Sequence, residues 1–143
     1  MTAIKLESRL NIFNDFSFLN KDKNDLFLEQ KVTLHKFNDK EIILNGSYAD
    51  QNFLNIIAFG SVNVISPILN SDKIINYKLG VGCLLGLESI ICEYGSLPVI
   101  ASALGNVEIY RIPKEALLKQ CNNVEVLNKL FQCYIKTMQY VMV

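Results

Sequence analysis

The sequence predicts a mainly β domain, a sandwich or barrel flanked by helices, and three observations carry that expectation. Between Val32 and Ile112, short apolar runs recur at a spacing of about 8–12 residues, parted by Gly and Asn turn signals. Outside that stretch the apolar spacing lengthens to 3 and 4, the signature of helices, at both ends of the chain. The length of 143 residues, half of them hydrophobic, suits one domain with a sizeable core.

Taken in order, Ile4, Leu6, Leu10, Phe13, Phe16 and Leu19 fit an amphipathic helix that breaks near Asn14-Asp15. Asn20 then reads as the N-cap of a short helix running to about Gln30. From Val32 the period is 2: Val32, Leu34 and Lys36 alternate with Thr33, His35 and Phe37, and the lone His35 reads as a surface residue. Asn38-Asp39 marks a turn, Glu41–Leu44 a strand and Asn45-Gly46 a second turn. Residues 53–59 and 61–66 read as two strands around Gly60, and residues 73–79 as another after a polar connection from Pro67 to Asp72.

Residues 80–112 read as a glycine-marked loop, a short helical turn and a hairpin. Gly80, Gly82, Gly86 and Gly95 punctuate the first half, and Gly105-Asn106 parts the apolar runs 97–104 and 107–112. An eight-stranded β-roll core is expected, and these runs account for seven of its strands. Pro113 suits the first position of a helix over 113–120, because its missing N–H has no partner to lose there. Asn122-Asn123 interrupts, and residues 124–143 form a longer helix. The expected division is a roll with N-terminal helices over 1–122 and a C-terminal helix over 123–143.

Composition narrows the function classes. Fourteen basic and fourteen acidic residues cancel, and no basic stripe tracks a phosphate backbone, so this chain is not expected to meet DNA or an anionic membrane directly. No run reaches the roughly 18 apolar residues of a membrane span, and no signal peptide is evident; the expected location is cytoplasmic. Cys83, Cys92, Cys121 and Cys133 lack metal-ligand spacing, so they read as reduced, mostly buried thiols, with no metal and no cofactor. Gly80-x-Gly82-x-x-x-Gly86 matches neither a dinucleotide fingerprint nor a P-loop. Glu88 and Glu93, five apart on a short helix, point away from each other. No Ser-His-Asp set can be assembled, so the chain is not expected to be an enzyme.

One set of short motifs occurs in a telling order. Phe37 is followed by Gly46, then by Gly60-Ser61-Val62-Asn63-Val64, then by Gly86, Glu88, Pro98, Ala101 and Ser102. Over roughly residues 10–140 this resembles the cyclic nucleotide-binding domain of the Crp/Fnr (catabolite activator) type. The resemblance implies a double-stranded β-helix, or jelly roll, followed by a long C-terminal helix. It also implies a ligand-binding cassette comprising Gly86, Leu87, Glu88, Ser89, Pro98, Val99, Ile100, Ala101 and Ser102. Two departures matter. Lys40 replaces the first glycine of the pattern, and Glu88 comes one place late. A third is decisive for chemistry: Val99 stands where the family has its phosphate-binding Arg.

A cyclic phosphodiester carries one negative charge, and between Lys78 and Arg111 this chain has no Lys, Arg or His. Loss of one charge-assisted bond costs roughly 1.5–3 kcal/mol, and Glu88, Glu93 and Glu108 add like charge. Lys78 or Arg111 could swing in, but each stands at a strand end. Leu84, Leu85, Leu87, Ile90, Ile91, Leu97, Val99 and Ile100 would instead suit a small apolar or neutral ligand, or none.

The resemblance therefore implies the ligand-sensing effector domain of a Crp/Fnr-like transcription regulator, binding cyclic nucleotide weakly and reaching DNA only through a C-terminal domain outside this sequence. The alternative is a stand-alone interaction module of the same fold with no ligand. In the family the long helix pairs with its two-fold mate. Here Val124, Leu127, Phe131, Tyr134, Met138 and Val141 keep the spacing of such a seam, with Leu130 and Ile135 left for a roll-facing side.

Overall fold

The structure is a computed structural model, and it describes residues 32–46, 52–68, 71–86, 99–119 and 124–141. The expected N-terminal helices lie outside the described residues. Among these residues six strands and two helices follow one another: β1 (Thr33–Phe37), β2 (Ile42–Asn45), β3 (Phe53–Pro67), β4 (Ile74–Leu79), β5 (Leu84–Leu85), β6 (Ile100–Pro113), α1 (Lys114–Lys119) and α2 (Val124–Val141). This is the mainly antiparallel β architecture with a C-terminal helix that the periodicities predict.

Two long strands organise the sheet. β3 and β6 run antiparallel along nearly their whole lengths. At one end β6 pairs with β1, at the other with β2, while β3 carries β4 and β5 on its far side. Both long strands bend where their pairing slips, between Ile57 and Ser61 on β3 and between Leu104 and Glu108 on β6. Gly60 makes the bend possible: its φ is +89°, and a Cβ there would overlap the Asn106 carbonyl oxygen.

Three sequence expectations change at this bend and beyond it. Residues 53–59 and 61–66 form one bulged strand rather than two. Gly105-Asn106 is not the tip of a hairpin; β6 continues through it without a break, with Gly105 at φ +76°. A glycine that kinks a continuous strand and one that ends it look alike in sequence, and only the partner strand tells them apart. Pro113 closes β6 instead of opening the helix, so α1 begins at Lys114.

The turn between β1 and β2 holds the one non-glycine residue of positive φ among the described residues. Lys40 itself takes φ +69°, a left-handed conformation that costs a side-chain-bearing residue about 1–2 kcal/mol. The turn is held by neighbours: the Lys40 N–H donates to the Ala103 carbonyl, Glu41 accepts from the Ala103 N–H, and Asp39 Oδ1 accepts from the Gly105 N–H at 2.8 Å.

The core lies on one face of the bent sheet. Ile43, Leu44, Ile57, Val62, Val64 and Ile109 are among the residues that fill it, with Leu79, Cys83 and Leu85 from the β4–β5 region. Leu54, Ile56 and Ile112, on the opposite pleat, are also fully buried; α1 contacts β3 and β6 and buries Leu117. The second helix, α2, lies over β4 and β5. Leu130, Cys133 and Thr137 are its buried positions. Ile135, expected on that side, is instead 56% exposed.

Candidate functional site

The candidate cassette spans the gap between β5 and β6. Its described members are Gly86 and residues 99–102; Leu87, Glu88, Ser89 and Pro98 lie outside the described residues. Gly86 has φ +94°, and a Cβ there would stand 3.1 Å from the Phe53 carbonyl oxygen. The chain therefore leaves β5 pressed against β3, which favours glycine at this position for both conformation and room.

On the β6 side the strand's alternation divides the proposed residues. Val99 packs against the core cluster, and Ala101, opposite Val64, is fully buried in it. Ile100 and Ser102 project from the other pleat, where Ile100 faces Ile65 and Ser102 faces Asn63. Ile100 is largely exposed and Ser102 half-buried. Val99 thus directs its methyl groups at the core.

A cation does reach this face, from another direction. Arg111, half-buried on β6, lies two and four residues beyond the core residues Ile109 and Val107, and so shares their pleat. Its Nε–H donates to Asn55 Oδ1 at 3.1 Å, and an Nη2–H donates to the Ile43 carbonyl at 3.2 Å. The guanidinium also lies over the Phe37 ring, 5.7 Å from its centroid. Asn55 is fully buried, and its Nδ2 points at the Leu85 carbonyl, 3.5 Å away, one residue before Gly86. Strand register produces this row, since Asn55 faces Arg111 on one side and Leu85 on the other.

Sequence reasoning placed Arg111 at a strand end and missed its inward direction. The signal was the alternation Val107, Ile109, Arg111 within the run 107–112. His35 is partly exposed, and its Nε2 is 2.8 Å from Thr33 Oγ1. Burial, and then the nearby Arg111 charge, push its pKa below the usual histidine value, so the neutral ring is favoured.

The third component is the seat of α2. The Leu84 N–H donates to Thr137 Oγ1 at 2.9 Å, and that hydroxyl donates to the Cys133 carbonyl at 2.8 Å. The preceding turn carries two glycines under the helix. A Cβ at Gly80 would be 2.6 Å from the Tyr140 hydroxyl, and one at Gly82 would be 3.0 Å from Lys136 Nζ. Burial pushes the Cys83 thiol up, against smaller opposing effects of the Gly80 backbone, Thr137 and Lys136. Helix α2 therefore bears directly on the turn that leads through β5 to Gly86. Among the described residues, no cluster of His, Cys, Asp and Glu could hold a metal ion.

No protein-family model matches the sequence, and no curated protein sequence matches it. Solved structures do match. A cAMP-binding acyltransferase from Mycobacterium smegmatis superposes with a TM-score of 0.57 at 14% identity, over 73% of this chain and 32% of its own. A protein described as a Crp/Fnr-family transcriptional regulator from Eubacterium rectale gives 0.66 at 16% identity, over 90% and 61%. The catabolite activator protein of Thermus thermophilus gives 0.57 at 22% identity, over 76% and 50%. The chain thus spans less than two thirds of each of these three proteins. The bent antiparallel roll with the helix α2 laid over β4 and β5 has the fold of the cyclic nucleotide-binding domain of Crp/Fnr-type regulators.

Proposed function

We propose that this chain is the regulatory, ligand-sensing part of a Crp/Fnr-like transcription regulator that does not hold cyclic nucleotide tightly. The observation that carries this is Val99. It stands at the family's arginine position and packs into the apolar core beside Ala101. A cyclic phosphate there would meet methyl groups, at a cost of roughly 1.5–3 kcal/mol for the lost charge-assisted bond. Arg111 does not stand in for it in this reading, because Asn55 and the Ile43 carbonyl already orient its guanidinium. The ligand of the cassette is then a small apolar or neutral molecule. DNA contact belongs to a separate helix-turn-helix domain, α2 pairs with a second copy, and the protein works in the cytoplasm. No helix of the described residues is long and apolar enough to cross a membrane.

The same apolar filling favours one alternative, a stand-alone interaction module of this fold that takes no ligand. A reading frame continuing past Val143 into a helix-turn-helix domain would select the regulator; a stop codon there would select the module.

Isothermal titration calorimetry tests the central point. Neither cAMP nor cGMP should bind at micromolar concentration, and a clear sub-micromolar isotherm would overturn the reading. Val99→Arg should strengthen nucleotide binding by about 10-fold or more, the equivalent of one charge-assisted bond.

A further inference from the structure

Arg111 ties one end of the roll together. Its Nε–H reaches Asn55 on β3, an Nη2–H reaches the Ile43 carbonyl on β2, and its guanidinium lies over Phe37 on β1. One side chain thus joins three strands to β6. Asn55 in turn stands opposite Leu85, the residue before Gly86. The tie therefore sits at the root of the chain that enters the cassette.

A titratable ring lies along this tie. Register sets Thr33, His35 and Phe37 opposite Arg111, Ile109 and Val107, so these residues share a pleat. Arg111 starts opposite Thr33 and its guanidinium ends over Phe37, and His35 stands between those two residues on β1. Apart from His35, the charged side chains of β1, β2, β3, β5 and β6 are Lys36, Glu108 and Arg111. Lys36 and Glu108 face each other on the opposite pleat. In the turn after Phe37, Asp39 accepts from the Gly105 N–H and Glu41 from the Asn38 N–H. Among the described residues, the charge that acts on His35 is therefore that of Arg111. A neutral imidazole is compatible with it, whereas an imidazolium sets like charges beside each other and disfavours both.

We propose that His35 is a proton-operated release for Arg111: when the ring takes a second proton, the guanidinium loses its hold on Asn55 and the Ile43 carbonyl, and the roll loosens where β5 leads to Gly86. The proton comes from solvent, which reaches the partly exposed ring. The device does not depend on what, if anything, the cassette holds. Burial and Arg111 keep the folded-state pKa of His35 below the ordinary 6.5, so the unfolded chain takes the proton first. The stability tied to the neutral ring is complete above pH 6.5 and is lost as pH falls through the lower folded-state value.

NMR of the intact ¹⁵N-labelled chain tests this directly, because the chain has one histidine and its arginines are Arg9 and Arg111. The His35 ring protons should titrate with a midpoint below 6.5. The Arg111 Nε–H signal, identified by its loss in Arg111→Lys, should exchange with water severalfold faster as pH falls past that midpoint. Acid by itself slows this base-catalysed exchange, so an acceleration marks a broken hydrogen bond. His35→Gln should abolish the step and keep the Nε–H protected. Arg111→Gln should raise the His35 midpoint, because the coupling is reciprocal; dispersed spectra of each variant report that it is folded. Arg111 exchange with no step at the His35 midpoint, a step that survives His35→Gln, or a midpoint unmoved by Arg111→Gln would overturn the proposal.

Discussion

Asn55 offers the sharpest test of how the interior is held together. It is fully buried, and it accepts the Arg111 Nε–H at 3.1 Å. Its second contact, to the Leu85 carbonyl at 3.5 Å, is at the outer limit of a hydrogen bond and adds little. Asn55→Leu keeps the volume and removes one charge-assisted bond, worth roughly 1.5–3 kcal/mol. Leucine regains part of that through apolar burial, so the net loss should be about 1–2.5 kcal/mol. For a chain near this size each kcal/mol moves Tm by about 2–4 °C, giving an expected drop of some 2–10 °C. A double-mutant cycle with Arg111→Leu isolates the pair, because the other contacts of each residue cancel. The double variant should be more stable than the two single losses summed, by about 1 kcal/mol or more, in urea unfolding followed by circular dichroism. Additivity within about 0.5 kcal/mol would mean that the Asn55–Arg111 bond contributes nothing, and the account of the inward guanidinium would fail.

Two further variants probe the seat of α2. Gly80→Ala places a methyl group against the Tyr140 ring and hydroxyl, and should cost about 1 kcal/mol in urea unfolding; a Tyr140→Phe background, which frees the space of the hydroxyl, should recover part of it. Thr137→Val leaves the buried Leu84 N–H without its acceptor, so stability should fall by about 1–3 kcal/mol and hydrogen exchange at the Leu84 amide should quicken.

The fold was legible in the sequence because short apolar runs bounded by Gly, Asn and Pro turn residues recur from β1 to β4. The positions of Lys40 and Gly86 could be anticipated from the pattern they complete or break. What was not legible depended on partners distant in sequence. Gly60 and Gly105-Asn106 look like chain reversals, yet each bends a continuous strand, because β3 and β6 pair on both sides of the bend. The polar row Arg111–Asn55–Leu85 spans residues 26 to 56 apart in sequence, and no local period encodes it. The seat of α2 was hidden for the same reason: nothing near Gly80 in sequence announces that Tyr140 will lie over it.

The expected seam on α2 can now be placed more closely, and it yields the last prediction. The sequence assigned it to Val124, Leu127, Phe131, Tyr134, Met138 and Val141. The structure turns Leu130, Cys133 and Thr137 to the roll, and Val141 packs against the core cluster. Leu127 and Met138 are half-buried. The free apolar surface is centred on Val124, Phe131 and Ile135, at 67%, 64% and 56% exposure, with Tyr134 beside them. A pairing helix should therefore meet Phe131 and Ile135, with Val141 left to the roll. Full burial of such a side chain is worth about 1.5–3 kcal/mol, so covering the exposed part of Phe131 gives about 1–2 kcal/mol per copy. A symmetric dimer counts it twice. Phe131→Asp should then weaken association by about 2–4 kcal/mol, roughly 30-fold to nearly 1,000-fold in Kd, with more lost if the carboxylate is buried. Ile135→Asp should act in the same way, and neither should disturb the roll, because both side chains are exposed in the single chain. Sedimentation velocity across a concentration series reads the result. A wild-type chain that stays monomeric at tens of micromolar, or an Ile135→Asp chain that dimerises as well as wild type, would show that this face of α2 serves another purpose.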